Sequence, residues 1–178
     1  TGKDHEIDGT RGGFNQFFSP DGSSIGFFTQ DGLKTMSLEG GGVTYVTPAT
    51  NRGTEGSWGR YGDIVFPIWK SGLRLVYESG GAAVELTTLR EDEQQHSAPH
   101  FLPDGENVLF VAQRFGTPTL GILSVVNIKT KERTDLDPSA RYAAPRYSES
   151  GHLLFAGKSA LFSRPFDPDA LTFQGKAV

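Results

Sequence analysis

The 178-residue sequence has no cysteine. This excludes disulfides, a thiol nucleophile and a thiolate metal site, and it leaves the redox compartment unreadable. The sequence also lacks any apolar run of the ~18 to 20 residues that a membrane helix needs, so we expect no membrane contact by this segment. A length in the range of about 100 to 200 residues predicts one compact unit.

A basic stripe is missing as well. The formal net charge is −4, with 7 basic and 10 acidic side chains in residues 1–89 and 10 and 11 in residues 90–178. Proteins that bind nucleic acids normally concentrate lysine and arginine on one face or segment. The even mixture of charges therefore excludes nucleic acid as an expected partner.

Helical periodicity is weak, whereas glycine is abundant. No 12-residue window has a convincing 3.6-residue apolar period, so we expect little helix. The 23 glycines are nearly twice the ordinary frequency of about 7%. Because glycine is costly inside helices and favoured in tight turns, the composition predicts many short strands joined by turns.

A four-fold repeat organises these turns. Each repeat has an aromatic residue, a turn that ends in glycine, and an apolar strand that ends in phenylalanine. The glycines are 40, 43 and 46 residues apart, and the phenylalanines 39, 44 and 45. The aromatics are Phe18, Trp58, Phe101 and Tyr147, the glycines are Gly22, Gly62, Gly105 and Gly151, and the phenylalanines are Phe27, Phe66, Phe110 and Phe155.

The repeat predicts a four-stranded antiparallel meander. Proline presets φ, aspartate bonds the backbone, and glycine takes the left-handed position in the turns Ser19–Gly22 and Leu102–Gly105. Four strands in 40 to 46 residues are typical of a β-propeller blade. We therefore predict an all-β propeller segment over residues 1–178, with blades at about 13–51, 54–92, 96–140 and 142–178. The polar stretch Leu89–His96 is interpreted as a solvated connection.

With these motifs the sequence resembles the TolB-like, WD-type propeller repeats of bacteria, in which a Ser-Pro-Asp-Gly turn precedes an Ile-x-Phe strand. The ordered series also looks like the extracytoplasmic propeller attached to bacterial membrane serine/threonine protein kinases. The matching segments are Gly12–Phe28, Gly56–Gly59, Pro99–Gly105, Ser150–Phe155 and Pro165–Asp167.

Two features depart from this resemblance. Blade two has Arg60-Tyr61-Gly62 in place of Pro-Asp-Gly, and blade four has Glu149-Ser150-Gly151. Propellers of this family usually close with six or more blades, so we expect the four repeats to belong to a larger propeller. The chain has no glycine-rich phosphate loop with its lysine and no His-Arg-Asp or Asp-Phe-Gly motif, so it contains no kinase chemistry.

Candidate metal and catalytic residues have ordinary explanations. His96 and His100 would lie about 13 Å apart on a strand, too far to chelate one ion. The carboxylate pairs Asp135/Asp137 and Asp167/Asp169 flank prolines in predicted loops. Ser57 in Gly56-Ser-Trp-Gly59 is better explained as part of the first strand of blade two than as a nucleophile, and Gly40–Gly42 fit a hairpin better than a phosphate cradle. We therefore predict no catalytic residue, no metal and no cofactor.

The aromatic residues divide into two groups. Most of the four repeated aromatics are expected to fill the space between adjacent blades. The residues that the repeat does not require are better candidates for a surface, because loops on rigid scaffolds carry function and interfaces favour arginine and aromatics. Tyr61 belongs to this group, and the predicted interaction surface consists of Trp69, Arg114, Phe115, Arg141 and Tyr142.

These observations predict a non-catalytic module for binding a protein, a peptide or a cell-envelope ligand. The resemblance implies an extracytoplasmic setting in bacteria. The alternative is a propeller that gates substrate access to an attached serine peptidase domain, and a weaker one is a propeller hydrolase with axial calcium. Uncovered faces on the first and last blades predict self-association.

Overall fold

The computed structural model describes residues 7–49, 56–117, 120–157 and 159–175. These residues form sixteen strands and no helix, arranged as four antiparallel four-stranded sheets. The all-β propeller architecture predicted from the repeat is confirmed. Because the described part of the chain holds no helix, it also holds none that could cross a membrane.

Each sheet is a meander of consecutive strands, and we number the sheets blade one to blade four. Blade one comprises β1 (Phe14–Phe18), β2 (Ser24–Phe28), β3 (Leu33–Ser37) and β4 (Thr44–Thr47). Blade two comprises β5 (Ser57–Trp58), β6 (Asp63–Pro67), β7 (Leu73–Tyr77) and β8 (Val84–Glu85). Blade three comprises β9 (Glu93–Phe101), β10 (Asn107–Arg114), β11 (Gly121–Asn127) and β12 (Arg133–Asp135). Blade four comprises β13 (Ala143–Ser148), β14 (His152–Ala156), β15 (Leu161–Asp167) and β16 (Thr172–Phe173).

The first turn of every blade has the same geometry. The glycine of the turn donates its N–H to the carbonyl three residues earlier and has φ between 72° and 89° in all four blades. A left-handed backbone of this kind strains any residue with a Cβ. The two turns that depart from Pro-Asp-Gly therefore keep the same conformation. The four glycines are Gly22, Gly62, Gly105 and Gly151.

Three apolar clusters lie in the seams between successive blades. Side chains of β6 alternate between two of them: Ile64 and Phe66 pack toward blade one, whereas Val65 packs toward blade three. This alternation follows from the two-residue period of a strand. Both faces of an internal blade are therefore buried, which explains why the repeat reads as a nearly continuous apolar run.

Strand packing in the described ranges joins blade one to two, two to three, and three to four. No extensive strand packing joins blade four back to blade one among these residues. The four blades therefore form an open arc. Residues 50–55 and 176–178, which fall at predicted blade boundaries, lie outside the described residues.

One prediction about a connection was wrong in its second half: residues 90–92 are exposed, as expected, whereas Glu93, Gln95 and His96 are buried. The stretch Leu89–His96 was expected to be solvated, but β9 begins at Glu93 rather than at 96. Glu93 is only 4% exposed and His96 is fully buried. The polar composition was misleading because Glu93 and His96 form a hydrogen bond with each other inside the fold instead of facing water.

Candidate ligand-binding cleft

The first strands of the four blades, β1, β5, β9 and β13, surround an open cleft of about 690 Å³, which we call the inner cleft. Aromatic, basic, acidic and hydroxyl side chains all contribute to its wall. Residues from every blade therefore meet at one place. The lining includes Phe18, Trp58, Arg60, His100, Phe101, Arg146, Tyr147 and Glu149.

The four repeated aromatics occupy equivalent positions in this wall. Each is the cross-strand partner of an apolar residue on the second strand of its blade, namely Ile25, Ile64, Val108 and Leu153. Trp58, Phe101 and Tyr147 are half-buried and pack against the seam clusters, as predicted. Phe18, in contrast, is 62% exposed, and its neighbour Phe17 enters the core.

Phe17 is buried because its ring covers Gly26. A Cβ at residue 26 would lie 2.4 Å from the ring, so any residue other than glycine would require the Phe17 ring to move. Phe17 also meets the Trp58 ring edge-on at 6.4 Å. The seam between blades one and two is thus filled from Phe17, and Phe18 is left on the opposite side of the strand.

Trp58 is held in place by a hydrogen bond. Its indole Nε1–H donates to Glu78 Oε2 at 2.9 Å. The backbone N–H of Phe101 donates to Ser57 Oγ at 3.0 Å, which ties the inner strands of blades two and three together. These bonds give the aromatic wall a defined orientation before any ligand arrives, which lowers the entropic cost of binding.

Cationic groups border the aromatic wall. Arg60 Nη1 donates to the carbonyl oxygen of Pro103 at 3.1 Å, and its guanidinium lies 5.3 Å from the Tyr61 ring centroid. Arg146 Nη1 donates to the carbonyl oxygen of Pro145 at 2.8 Å, and burial lowers its pKa. Glu149 is the acidic member of the lining. The cleft therefore combines aromatic surface with a positive balance of charge.

His100 also lines the cleft. Burial lowers its pKa, and a hydrogen bond with the backbone of Tyr147 opposes that effect. A buried imidazole with a lowered pKa is neutral at pH 7, so it can accept or donate a hydrogen bond without adding charge. His100 thus offers a neutral polar contact beside the two arginines.

A second polar constellation lies in the seam between blades two and three. Thr87 Oγ1 accepts the N–H of Leu73 at 2.8 Å and donates to His96 Nδ1 at 2.7 Å. His96 Nε2–H donates to Glu93 Oε2 at 2.9 Å. This order of hydroxyl, imidazole and carboxylate resembles a nucleophile, base and acid. Thr87 is only 6% exposed, however, and its hydroxyl is already engaged by two partners, so the group contributes to packing rather than to nucleophilic attack.

Arg133 completes this buried group. Its Nη2 donates to Glu93 Oε1 at 2.7 Å, its Nη1 donates to Oε2 at 3.0 Å, and its Nε donates to Asp135 Oδ1 at 3.0 Å. Burial raises the pKa of Glu93, but hydrogen bonds from His96 and Arg133 outweigh it and hold that pKa far below its usual range. Burial lowers the pKa of His96, so the imidazole is neutral.

Metal binding has little support in the described ranges. Both ring nitrogens of His96 are engaged by Thr87 and Glu93. No group of three or more His, Asp or Glu side chains there is placed to hold an ion.

The predicted interaction surface falls at the opposite end of the blades. Trp69 is 50% exposed in the turn between β6 and β7, and Phe115 is 67% exposed in the equivalent connection after β10. Arg114 Nε lies 2.9 Å from Asp92 Oδ2 in an ion pair. These side chains present aromatic surface outside the inner cleft.

Arg141 and Tyr142 are more constrained. Arg141 Nη1 donates to the carbonyl oxygens of Pro138 and Ala140. The Tyr142 hydroxyl donates to Asp137 Oδ2 at 2.8 Å, and its ring meets the Phe155 ring at 4.4 Å. Tyr142 also bridges the backbone of Gly121 at the start of β11, close to where β10 ends. Arg141 and Tyr142 therefore lie at the same end of blade three as Arg114 and Phe115.

Sequence reasoning missed the inner cleft as a site. The aromatic repeat was assigned to packing, yet all four aromatics also line the cleft. The signal was present in the repeat itself, because the same register position on the first strand of every blade recurs around one axis. Arg60 lies two residues after Trp58, and Arg146 lies directly before Tyr147. Both arginines therefore line the same cleft.

The arrangement of four radial meanders defines a β-propeller segment. Comparison with solved structures supports this class. An auxiliary nutrient binding protein from Bacteroides thetaiotaomicron matches over 93% of this chain and 42% of its own, at 12% identity and a TM-score of 0.65. TolB from Acinetobacter baumannii matches over 92% and 44%, at 18% identity and a TM-score of 0.67.

Solved structures of proteins with other functions show the same fold. The β-propeller domain of Cps50 (Swd1) from Myceliophteria thermophila matches over 88% of this chain and 55% of its own, at 15% identity and a TM-score of 0.61. An enzyme, puromycin hydrolase, matches over 91% and 30%, at 17% identity and a TM-score of 0.60. At such identities the likeness establishes the fold alone.

The chain spans less than half the length of the nutrient binding protein and of TolB. No protein-family model matches the sequence, and a search of curated proteins finds no match.

Proposed function

We propose that the segment is a non-catalytic binding module whose inner cleft recognises a protein, a peptide or a cell-envelope ligand. One observation carries this proposal: four aromatic side chains from the same register position of four blades meet two arginines in one open cleft. Aromatic residues and arginine are the side chains that contribute most to binding energy at protein interfaces.

The chemistry of the wall favours a ligand with an apolar or planar group next to an anionic one. Phe18 is 62% exposed and offers a ring face for stacking. Arg60 and Arg146 supply positive charge, while Glu149 supplies one negative charge. Peptides that contain an aromatic residue beside aspartate or glutamate fit this pattern. Peptidoglycan fragments whose stem peptides have free carboxylates fit its anionic part.

The biological setting rests on resemblance. The Ser-Pro-Asp-Gly turn with its Ile-x-Phe strand, and the ordered motifs from Gly12–Phe28 to Pro165–Asp167, are similar to the propeller of bacterial receptor-type kinases. We propose an extracytoplasmic location and a sensor role on this basis. The structural likeness to a nutrient binding protein supports ligand binding in general.

An attached serine peptidase is the second candidate. The structural match to puromycin hydrolase favours it, since that enzyme shares this propeller fold over 91% of the chain. In that case the cleft would admit a substrate rather than retain a ligand. The flanking sequence of the parent gene separates the two: a nucleophile elbow indicates the peptidase, whereas a membrane helix and a kinase catalytic loop upstream indicate the sensor.

Trp58 provides a direct test of the cleft. In a Trp69→Phe background it is the only tryptophan, so its emission reports ligands that reach the inner wall. The probes are arrayed short peptides rich in aromatic and acidic residues, and soluble peptidoglycan fragments. We expect at least one probe to shift the emission, and Arg146→Gln to weaken that binding about tenfold, equivalent to ~1.4 kcal/mol.

Phe115→Ser is the matched control, because Phe115 is exposed at the other end of the blades. Binding that survives Arg146→Gln but is lost in Phe115→Ser, measured by titration calorimetry in chains that keep Trp69, would assign recognition to the predicted surface of Trp69, Arg114, Phe115, Arg141 and Tyr142. If no probe of either kind alters Trp58 emission, the cleft is not the binding site.

A further inference from the structure

A second cavity, of about 740 Å³, lies between the first turns of blades one and two, and we call it the turn cavity. Its wall is formed by residues from 19–24 in blade one and from 58–62 and 77–78 in blade two. It adjoins the inner cleft, with which it shares Trp58 and Arg60. Small-molecule sites usually have volumes of about 300 to 1,000 Å³, so the turn cavity is large enough to hold one.

Three aromatic side chains line the turn cavity, namely Trp58, Tyr61 and Tyr77. Tyr61 is 55% exposed and Tyr77 is 50% exposed, whereas Trp58 is half-buried. Within the described ranges, neither tyrosine hydroxyl has a hydrogen-bond partner in the protein. The cavity therefore offers a ligand both aromatic surface and hydroxyl groups that can donate or accept a hydrogen bond.

Two of these rings are held in place by neighbours in blade two. The bond from the Trp58 indole N–H to Glu78 Oε2, at 2.9 Å, fixes the first. The Tyr77 ring lies over Gly62, where an added Cβ would come within 2.8 Å of it. Side chains that are already ordered lose little conformational entropy on binding, so the wall is suited to a small ligand.

The charged groups of the turn cavity favour a neutral ligand. Glu78 and Asp21 both line it and oppose a ligand anion, and in the described part of the chain Glu78 has no lysine or arginine partner. Arg60 opposes a ligand cation, because its guanidinium already lies 5.3 Å from the centroid of the Tyr61 ring. The oxygens of Asp21 accept bonds from hydroxyls of its own turn, so Glu78 is the more available acceptor.

We propose that the turn cavity binds a neutral saccharide. A sugar ring has a face of C–H groups that stacks on aromatic side chains, and a rim of hydroxyls that donate and accept hydrogen bonds. The carboxylate of Glu78 accepts strongly from such hydroxyls, and the hydroxyl of Tyr77 pairs with them in either direction. Unlike the inner cleft, this site requires no anionic group on its ligand.

Saturation-transfer NMR on the purified chain tests the proposal. The probes are glucose, galactose, mannose, N-acetylglucosamine and their disaccharides, with tetramethylammonium and acetate ions as the charged alternatives. We expect at least one saccharide to bind at millimolar concentration, and neither ion to displace it. Because the probes include no peptide, the result is independent of what the inner cleft binds.

Two conservative variants test the named contacts. Glu78→Gln keeps an oxygen that accepts the Trp58 N–H but removes the charged acceptor, so we expect the dissociation constant to rise about tenfold. Tyr77→Phe keeps the ring and removes its hydroxyl, with an expected rise of about threefold to tenfold. Tyr45→Phe is the matched control, because Tyr45 is 47% exposed on β4 and its hydroxyl donates to the Asp31 carbonyl oxygen, outside the turn cavity. Near-ultraviolet circular dichroism verifies that all three variants are folded.

Amide chemical shifts locate the bound saccharide. We expect the changes to centre on Ser23, Gly62 and Glu78. Changes centred on His100 and Tyr147 would place the sugar in the inner cleft and overturn the proposal. Failure of every saccharide to bind also overturns it, as does displacement by tetramethylammonium or acetate, or binding that neither Glu78→Gln nor Tyr77→Phe weakens.

Discussion

The ring of Phe101 in blade three packs directly against Gly59 in blade two. A Cβ at residue 59 would lie 2.9 Å from two of the ring carbons, a separation that real Cβ atoms essentially never show. The glycine after Trp58 is therefore a requirement of the neighbouring blade, not of its own turn. The recurrent aromatic and this glycine together set how closely two blades approach.

Gly59→Ala should therefore destabilise the seam between blades two and three. We expect a loss of about 1 to 3 kcal/mol in the free energy of unfolding, the usual cost of overpacking a core. Urea unfolding measures it. Gly42→Ala is the control, because no atom lies within 4 Å of the added Cβ and the φ of Gly42 is outside the left-handed region. Equal stability of the two variants would contradict the proposed packing.

Glu93→Gln should have a larger effect. The carboxylate side chain is 1% exposed and receives bonds from both Arg133 and His96, so removing its charge leaves a buried guanidinium short of a partner. Breaking a buried ion pair costs about 3 to 5 kcal/mol. The same exchange at Glu106, whose partner Lys129 lies at the surface, should leave the urea midpoint unchanged. A small effect at Glu93 would mean that the network contributes little.

Acid should destabilise the fold in two stages. Burial lowers the pKa of His96 and of His100 below 6.5, so the unfolded chain binds protons first as the pH falls from that value. The stability that these neutral imidazoles contribute is present above pH 6.5 and is lost below it. The lowered pKa of Glu93 adds a second loss below its ordinary value of 4.5.

Unfolding midpoints measured between pH 7 and 5 test the first stage. We expect the wild type to lose stability across this interval, and His96→Gln to show a shallower slope although its stability at pH 7 is lower. An unchanged slope in His96→Gln would show that His96 binds protons equally in the folded and the unfolded chain, which would contradict a lowered pKa.

Tyr142→Phe should remove one partly buried hydrogen bond. Burial and the nearby Asp137 carboxylate raise the pKa of Tyr142 to about 12, so its hydroxyl stays protonated and bonded through the alkaline range. We expect a loss of about 1 kcal/mol. In a spectrophotometric titration, the variant should lack a tyrosine that ionises near that value. Tyr61→Phe, which alters a ring 55% exposed, is the control and should leave stability unchanged.

The repeat was readable because turn chemistry is local. The four-residue segments that end in Gly22 and Gly105 predict a turn with a left-handed glycine, and this turn sets the register of the strand that follows. The prediction of four-stranded sheets followed from such local signals. A third strand such as β7 (Leu73–Tyr77) was likewise expected from its apolar pattern.

What escaped prediction depends on contacts between distant residues. In sequence, Glu93 and His96 belong to a polar stretch that suggests solvent exposure, but in the fold the Glu93 carboxylate is paired with Arg133, which lies far along the chain. Phe18 and Phe101 are equivalent in the repeat, yet among the described residues only Phe101 has a preceding blade to pack against. Sequence periodicity describes each blade, whereas exposure depends on the position of that blade in the array.

The buried group of Thr87, His96, Glu93 and Arg133 has a consequence for how the molecule comes apart. Repeat arrays usually fray from their ends, because terminal units have one neighbour instead of two. Here the seam that depends on protonation lies in the middle, where Thr87 also holds the backbone of Leu73. At acidic pH the arc should divide first at its centre, into two halves of two blades each.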